Sequence, residues 1–221
     1  MSLETQIEAD ISTVLPFRPT SVNYMAVETK DGTLYRDRDS HEDVAQLPTI
    51  KRYLEVYQQG AGKEFFAYLQ QQGLEPKLDG VGSHALPQRT VAAIASQDGV
   101  NIFLANRNFE GKIRQFAETY ARYGLTLKDA AEYVLHHEMV HASGIQNEEG
   151  VEGVLAQYFM QKAEEAEKKG GNAQKYQRMA QLAQHRLAQG EERLQGKDHH
   201  NTSNADKRYQ PSQRPVYQKA A

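Results

Sequence analysis

Thr126-Leu-Lys-Asp129 has the form of a capping box, in which a threonine and an acid three residues later satisfy the orphan amides that open a helix. Gly144 is a natural C-terminal break for that helix. Between them run Ala130, Ala131, Val134 and Leu135, followed by His136-His137-Glu138-Met139-Val140-His141. Any fold for this chain must therefore accommodate a helix whose last turns carry three imidazoles and a carboxylate. His137 and His141, at i and i+4, project from one face about one turn apart. At that separation two ring nitrogens can reach one zinc ion at about 2 Å. Glu138 lies about 100° further round the helix, too far to ligate beside both histidines. It is placed to take a proton from a water whose pKa the metal lowers. His136 faces another side and reads as a packing or flanking residue. His41, His84 and His185 are isolated, and His199-His200 belong to a solvated tail.

The chain has 221 residues and no cysteine, so disulfides, thiolate metal sites, iron–sulfur clusters and cysteine nucleophiles are all excluded. Any metal must be held by nitrogen and oxygen. The first ten residues carry acids where a secretory signal would carry bases, and no apolar run approaches the roughly 18 residues of a membrane helix. The expectation is a soluble, cytoplasmic protein with no membrane partner. Of the net charge of −3, residues 197–221 contribute +3 and the preceding body −6. An acidic body lacks the clustered Lys and Arg that phosphate binding needs, which argues against a nucleic-acid partner.

Coarse patterning divides the chain into an N-terminal α/β region (1–75), a catalytic region with C-terminal helices (76–196) and a disordered basic tail (197–221). The apolar step of four in Leu3, Ile7, Ile11 and Leu15 predicts a short helix over 2–15. Ser21–Thr29 and Thr33–Arg36, flanking Asp31-Gly32, predict a hairpin. Helices are expected over 48–59 and 62–72, then a Gly- and Pro-rich loop over 74–89. Val91–Ser96 and Val100–Ala105, joined by Gln97-Asp98-Gly99, predict a second hairpin, and residues 111–123 a helix. Two further helices are expected, from about Glu148 to Lys168 and from about Asn172 to Gln189. In the latter, Tyr176, Met179, Ala180, Ala183 and Leu187 form an ordinary packing stripe.

A catalytic zinc needs a third protein ligand and an open fourth position. The candidates after the motif are Asn147, Glu148, Glu149 and Glu152. Asn147 is a neutral amide and a better N-cap for the next helix than a zinc ligand. If the two helices pack antiparallel about residues 145–146, position 152 falls opposite 139, midway between His137 and His141. Glu148 and Glu149 then fall opposite 142–143, past the metal. Glu152 also borders the apolar stripe of Val151, Leu155, Tyr158 and Phe159. Glu152 is the expected ligand, with Glu148 and Glu149 as alternatives or as a dipole-favoured acidic first turn.

Residues 134–159 resemble the zincin metallopeptidases of the gluzincin type, in a compact version. Glu152-Gly153-Val154-Leu155-Ala156-Gln157-Tyr158 is similar to the run that carries the downstream glutamate ligand in several such families, with one extra residue here. Ten residues separate His141 from Glu152, fewer than in the larger members. The resemblance implies an α+β, zincin-like fold: a small mixed or antiparallel sheet packed on a backing helix and an active-site helix. Its implied metal set is His137, His141 and Glu152 around Zn2+, with Glu138 as the catalytic base. It also implies a sheet edge that aligns extended substrate, for which Val100–Ala105 is the expected strand. Such sites add a Tyr, His or Arg to stabilise the oxyanion; Tyr133 and Tyr158 are candidates, and nothing singles either out. The expected activity is peptide-bond hydrolysis on a peptide or protein substrate. The other readings are a non-catalytic zincin-like binding module and a helical interaction protein with a chance motif. The oligomeric state is left open.

Overall fold

The computed structural model describes residues 24–29, 32–37, 47–84, 86, 90–97 and 100–198. The helix expected over 2–15, and residues 199–221 of the tail expected from 197, lie outside them; residues 197–198 end the last helix. Both hairpin signals produce antiparallel pairs. Strands β1 (Tyr24–Thr29) and β2 (Gly32–Asp37) pair from Tyr24 opposite Asp37 to Thr29 opposite Gly32. Strands β4 (Ala92–Gln97) and β5 (Val100–Asn106) pair from Ala92 opposite Ala105 to Gln97 opposite Val100.

The stretch 74–89, expected as a loop, contains strand β3 (Gly80–His84), parallel to both β2 and β5. Gly80-Val81-Gly82-Ser83-His84 has one aliphatic and two glycines, so neither alternation nor β-propensity marks it. Its strand geometry comes from hydrogen-bonded neighbours on both sides. The resulting sheet is mixed, in the order β1-β2-β3-β5-β4. Strands from either side of residue 75 thus share one sheet. The order also corrects the expected sheet edge: β5 lies between β3 and β4, and β4 is terminal.

Helices α1 (Leu47–Gln59) and α2 (Ala61–Gln71) follow the first hairpin. The second leads into α3 (Phe109–Thr119), capped by Asn108, then a short 3-10 turn (Ala121–Tyr123). The motif helix is α4 (Leu127–Ala142). Its capping box forms in full, Thr126 accepting from the Asp129 amide and the Asp129 carboxylate accepting from the Thr126 amide. Helices α5 (Glu148–Lys168) and α6 (Ala173–Asp198) complete the described chain and pack along one another. The architecture is α+β.

Helix α4 is the centre of the molecule. Ala130 through Val140, every residue, is buried, so this helix has no solvated face and its polar groups are inside by construction. Strand β4 packs against it on the sheet side, and α2, α3, α5 and α6 pack around the rest. The core joins Phe65 and Leu69 of α2, Phe103 of β5, Leu135 and Val140 of α4, Leu155 and Phe159 of α5 and Met179 of α6, all at most 2% exposed. The C-terminal end of α4 is tied to the segment that leads into β3, where the Lys77 amide donates to the Ala142 carbonyl at 3.3 Å.

Candidate metal centre

Two helix ends and a five-residue connection build the site. After His141, Gly144 adopts φ +98°, a left-handed conformation that costs glycine little, and its amide bonds the His141 carbonyl. The chain then reverses through Ile145 into Asn147, whose side chain caps α5 by accepting from the Gly150 amide at 2.6 Å, as the sequence predicts. The turn is tight: a Cβ at Gly150 would stand 2.6 Å from Asn147 Oδ1 and 2.9 Å from Ile145 Cγ2. It delivers two things to the motif. His141 Nδ1 donates to the Ile145 carbonyl at 2.8 Å, which leaves the lone pair on Nε2. Glu148, in the first turn of α5, faces both motif histidines.

The Nε2 atoms of His137 and His141 are 3.2 Å apart. Glu148 brings Oε2 to 3.3 Å from His137 Nε2 and Oε1 to 3.4 Å from His141 Nε2. Zinc bonds of 2.0–2.2 Å at tetrahedral angles separate ligand atoms by roughly 3.3–3.6 Å. Each of these separations is close to what one zinc ion sets between neighbouring ligand atoms, and the donor set, two imidazoles and a carboxylate, suits that ion. These residues fit a bound metal. Glu148 is 40% exposed and His141 17%, so one side of the cluster faces solvent.

Glu152, the expected third ligand, is not part of that cluster. Its Oε1 lies 3.1 Å from Nδ1 of His137, on the far side of the ring, at an angle outside hydrogen-bond geometry. The same oxygen bonds Arg186 Nε of α6, and Oε2 accepts from the Tyr133 hydroxyl. Two facts separate Glu148 from Glu152. A shift of one or two residues along a helix is about 1.5–3 Å, within the reach of a glutamate side chain, so Glu148 meets both Nε2 atoms. And Glu152, only 2% exposed, is already claimed by an arginine from another helix. Glu149 is not in the cluster either.

Electrostatics follow this arrangement. Burial alone would lower the His137 pKa, but the Glu148 and Glu152 carboxylates together outweigh it and raise it. Burial would raise Glu148 and Glu152. His137 holds Glu148 well below the ordinary carboxylate range, and Arg186, with His137 and Tyr133, does the same for Glu152. Glu138 goes the other way. It is 5% exposed and burial raises its pKa, with His137 and His141 offsetting only part. Its Oε2 is buried without a hydrogen-bond partner. A carboxylate with raised proton affinity and a free oxygen beside three metal-ligand candidates is equipped to accept a proton.

His136 turns away from the site, as expected of a packing residue. Its ring sits 4.1 Å from that of Phe65 and 5.3 Å from those of Tyr57 and Tyr158, and Nδ1 donates to the Glu132 carbonyl at 2.8 Å. Tyr158 belongs to this aromatic cluster and Tyr133 is spent on Glu152, so neither is placed to stabilise an oxyanion. The residue that sequence reading missed is Arg186. A signal existed: it falls at helical spacing on the buried stripe of Met179, Leu182 and Ala183, where a charge needs a partner. The chain matches no family model, and comparison with the curated proteins and with the solved structures returns no match.

Proposed function

We propose that this protein is a zinc-dependent metallopeptidase of zincin-like architecture, with His137, His141 and Glu148 as metal ligands and Glu138 as the general base. The observation that carries the reading is the cluster of two Nε2 atoms 3.2 Å apart with one Glu148 oxygen 3.3–3.4 Å from each, beside the unpartnered oxygen of Glu138. A metal-free structural role gives no reason for a buried carboxylate without a partner at this place. A purely structural zinc has no use for it either.

Zinc, when bound, acts as a Lewis acid that polarises a carbonyl and lowers the pKa of water toward 7. The chain supplies the rest. Glu138 takes a proton from the attacking water at its free Oε2 and returns it to the departing amine as the peptide bond breaks. Burial aids both halves of that shuttle, because it brings the carboxylate's proton affinity up toward that of its partners. The Ile145 carbonyl holds His141 at Nδ1, and Glu152 lies 3.1 Å behind Nδ1 of His137, the side from which outer contacts orient metal-binding histidines. Strand β4, terminal in the sheet and packed on α4, is the proposed place for an extended peptide to add by backbone pairing. Among the described residues no helix is long and apolar enough to cross a membrane.

The test is metal content and cleavage of a peptide library by wild type, Glu138→Gln and Glu148→Ala. Stoichiometric zinc in wild type, retained in Glu138→Gln while cleavage falls by about 100-fold or more, is the expected result. Wild-type protein that takes up no zinc overturns the proposal. Zinc undiminished in Glu148→Ala overturns the ligand assignment. Stoichiometric zinc with no cleavage of any peptide would leave the non-catalytic binding module instead.

A further inference from the structure

Arg186 reaches the centre from α6, 34 residues beyond Glu152 in sequence. Its Nε bonds Glu152, its Nη1 donates to the Tyr120 hydroxyl at 3.3 Å, and its Nη2 lies 3.8 Å from Glu148 Oε2. The rings of Phe116 and Tyr120 stand 5.9 Å from its guanidinium carbon. A planar group held by two acceptors and two rings has little freedom left, and what it holds is the carboxylate behind His137.

The need for a cation here is set by the charges around it. Glu138, Glu148 and Glu152 bring three carboxylates to one small region, and Glu152 is the deepest of them. A buried carboxylate stays ionised and fixed only with a countercharge and satisfied lone pairs. Tyr133 and Arg186 provide both. Glu152 in turn lies against His137 Nδ1, the atom opposite the one facing Glu148 and His141.

We infer that Arg186 is a positioning residue of the metal centre: it pins Glu152 behind His137 so that Nε2 of the ring is presented to Glu148 and His141. The inference rests on the metal-binding reading above. Arg186 also keeps Glu152 out of the ligand set by holding its carboxylate on the far side of the ring. Without Arg186, Glu152 is a buried anion with a hydroxyl and an imidazole for company, and the orientation of both Glu152 and His137 is no longer fixed.

The experiment measures zinc dissociation constants by competition with a chelating dye, and unfolding midpoints of the metal-free proteins. It compares wild type, Arg186→Lys, Arg186→Met and the double variant Glu152→Gln/Arg186→Met. The double variant removes both buried charges and so relieves the cost of an unpaired one. Arg186→Met is expected to weaken zinc binding about 10- to 100-fold, the usual effect of losing an outer contact to a ligand. The double variant should return the metal-free midpoint to within a few degrees of wild type while zinc binding stays weak. Arg186→Lys should fall between, since it keeps the charge and loses the fork. Affinities within about twofold of wild type in both Met-bearing variants, or a double variant that recovers affinity together with stability, overturn the inference. Wild-type protein without zinc overturns the metal reading itself, a separate and earlier result. If Arg186→Met does not fold, the Lys and double variants decide.

Discussion

His136 and His137 are neighbours in the chain and opposites in environment. Burial among Tyr57, Phe65, Tyr158 and Phe159 pushes the His136 pKa down to about 3; the Glu132 carbonyl offsets part of that, and nearby Lys175 adds to it. Its neighbour faces two carboxylates and moves up. The consequence for His136 has a definite sign. In the unfolded chain it titrates near 6.5, so between about pH 3 and 6.5 the unfolded state binds one more proton than the folded state. Folding stability attributable to this residue is therefore complete above about pH 6.5 and falls by roughly 1.4 kcal/mol per unit as the pH drops through that window. Urea unfolding of metal-free wild type and His136→Leu from pH 7.5 to 5 checks it. The wild-type slope should exceed that of the variant by about one proton below pH 6.5, and equal slopes would remove the assignment.

At the scale of elements, the centre depends on the connection between α4 and α5. Gly144 in the left-handed region, the Asn147 cap and the absence of a Cβ at Gly150 together bring the Ile145 carbonyl to His141 and Glu148 to both rings. Gly150→Ala forces a methyl group against Asn147 and Ile145, and should cost about 1–3 kcal/mol in urea unfolding and weaken zinc binding with it. Gly153, one turn further along α5, has nothing within 4 Å of its missing Cβ. Gly153→Ala removes a flexible residue from a helix interior and should stabilise the protein by about 0.5–1 kcal/mol. The same methyl group, three residues apart, is thus expected to act with opposite sign. Strand β3 makes a related point about context: its five residues become a strand because β2 and β5 flank them.

The whole molecule joins α4, α5 and α6 at one place, with two ligand candidates on the first, one on the second and a countercharge on the third. Zinc that binds the folded chain and not the unfolded one should raise stability by about 2.7 kcal/mol at a free concentration of 100 Kd. A zinc titration of the unfolding midpoint measures this, and Glu148→Ala should show a smaller gain at the same zinc concentration. By itself the sequence determined what is local. The Thr126 capping box, the His137/His141 pair on one helical face, the Asn147 cap and the two hairpins all follow from backbone periods and turn chemistry within a few residues. The expected helices over 48–59, 62–72 and 148–168 match α1, α2 and α5 to within a residue or two. Tertiary structure decided which glutamate faces the Nε2 atoms of both imidazoles, which strand ends the sheet and what surrounds the histidine pair. Each of these depends on distances between elements, where a helix displacement of 1.5–3 Å changes partners and a side chain 34 residues away can claim a carboxylate first. Glu148 and Glu152 differ by about one turn of the same helix; one faces the Nε2 atoms of both histidines, and the other lies behind His137 bonded to Arg186.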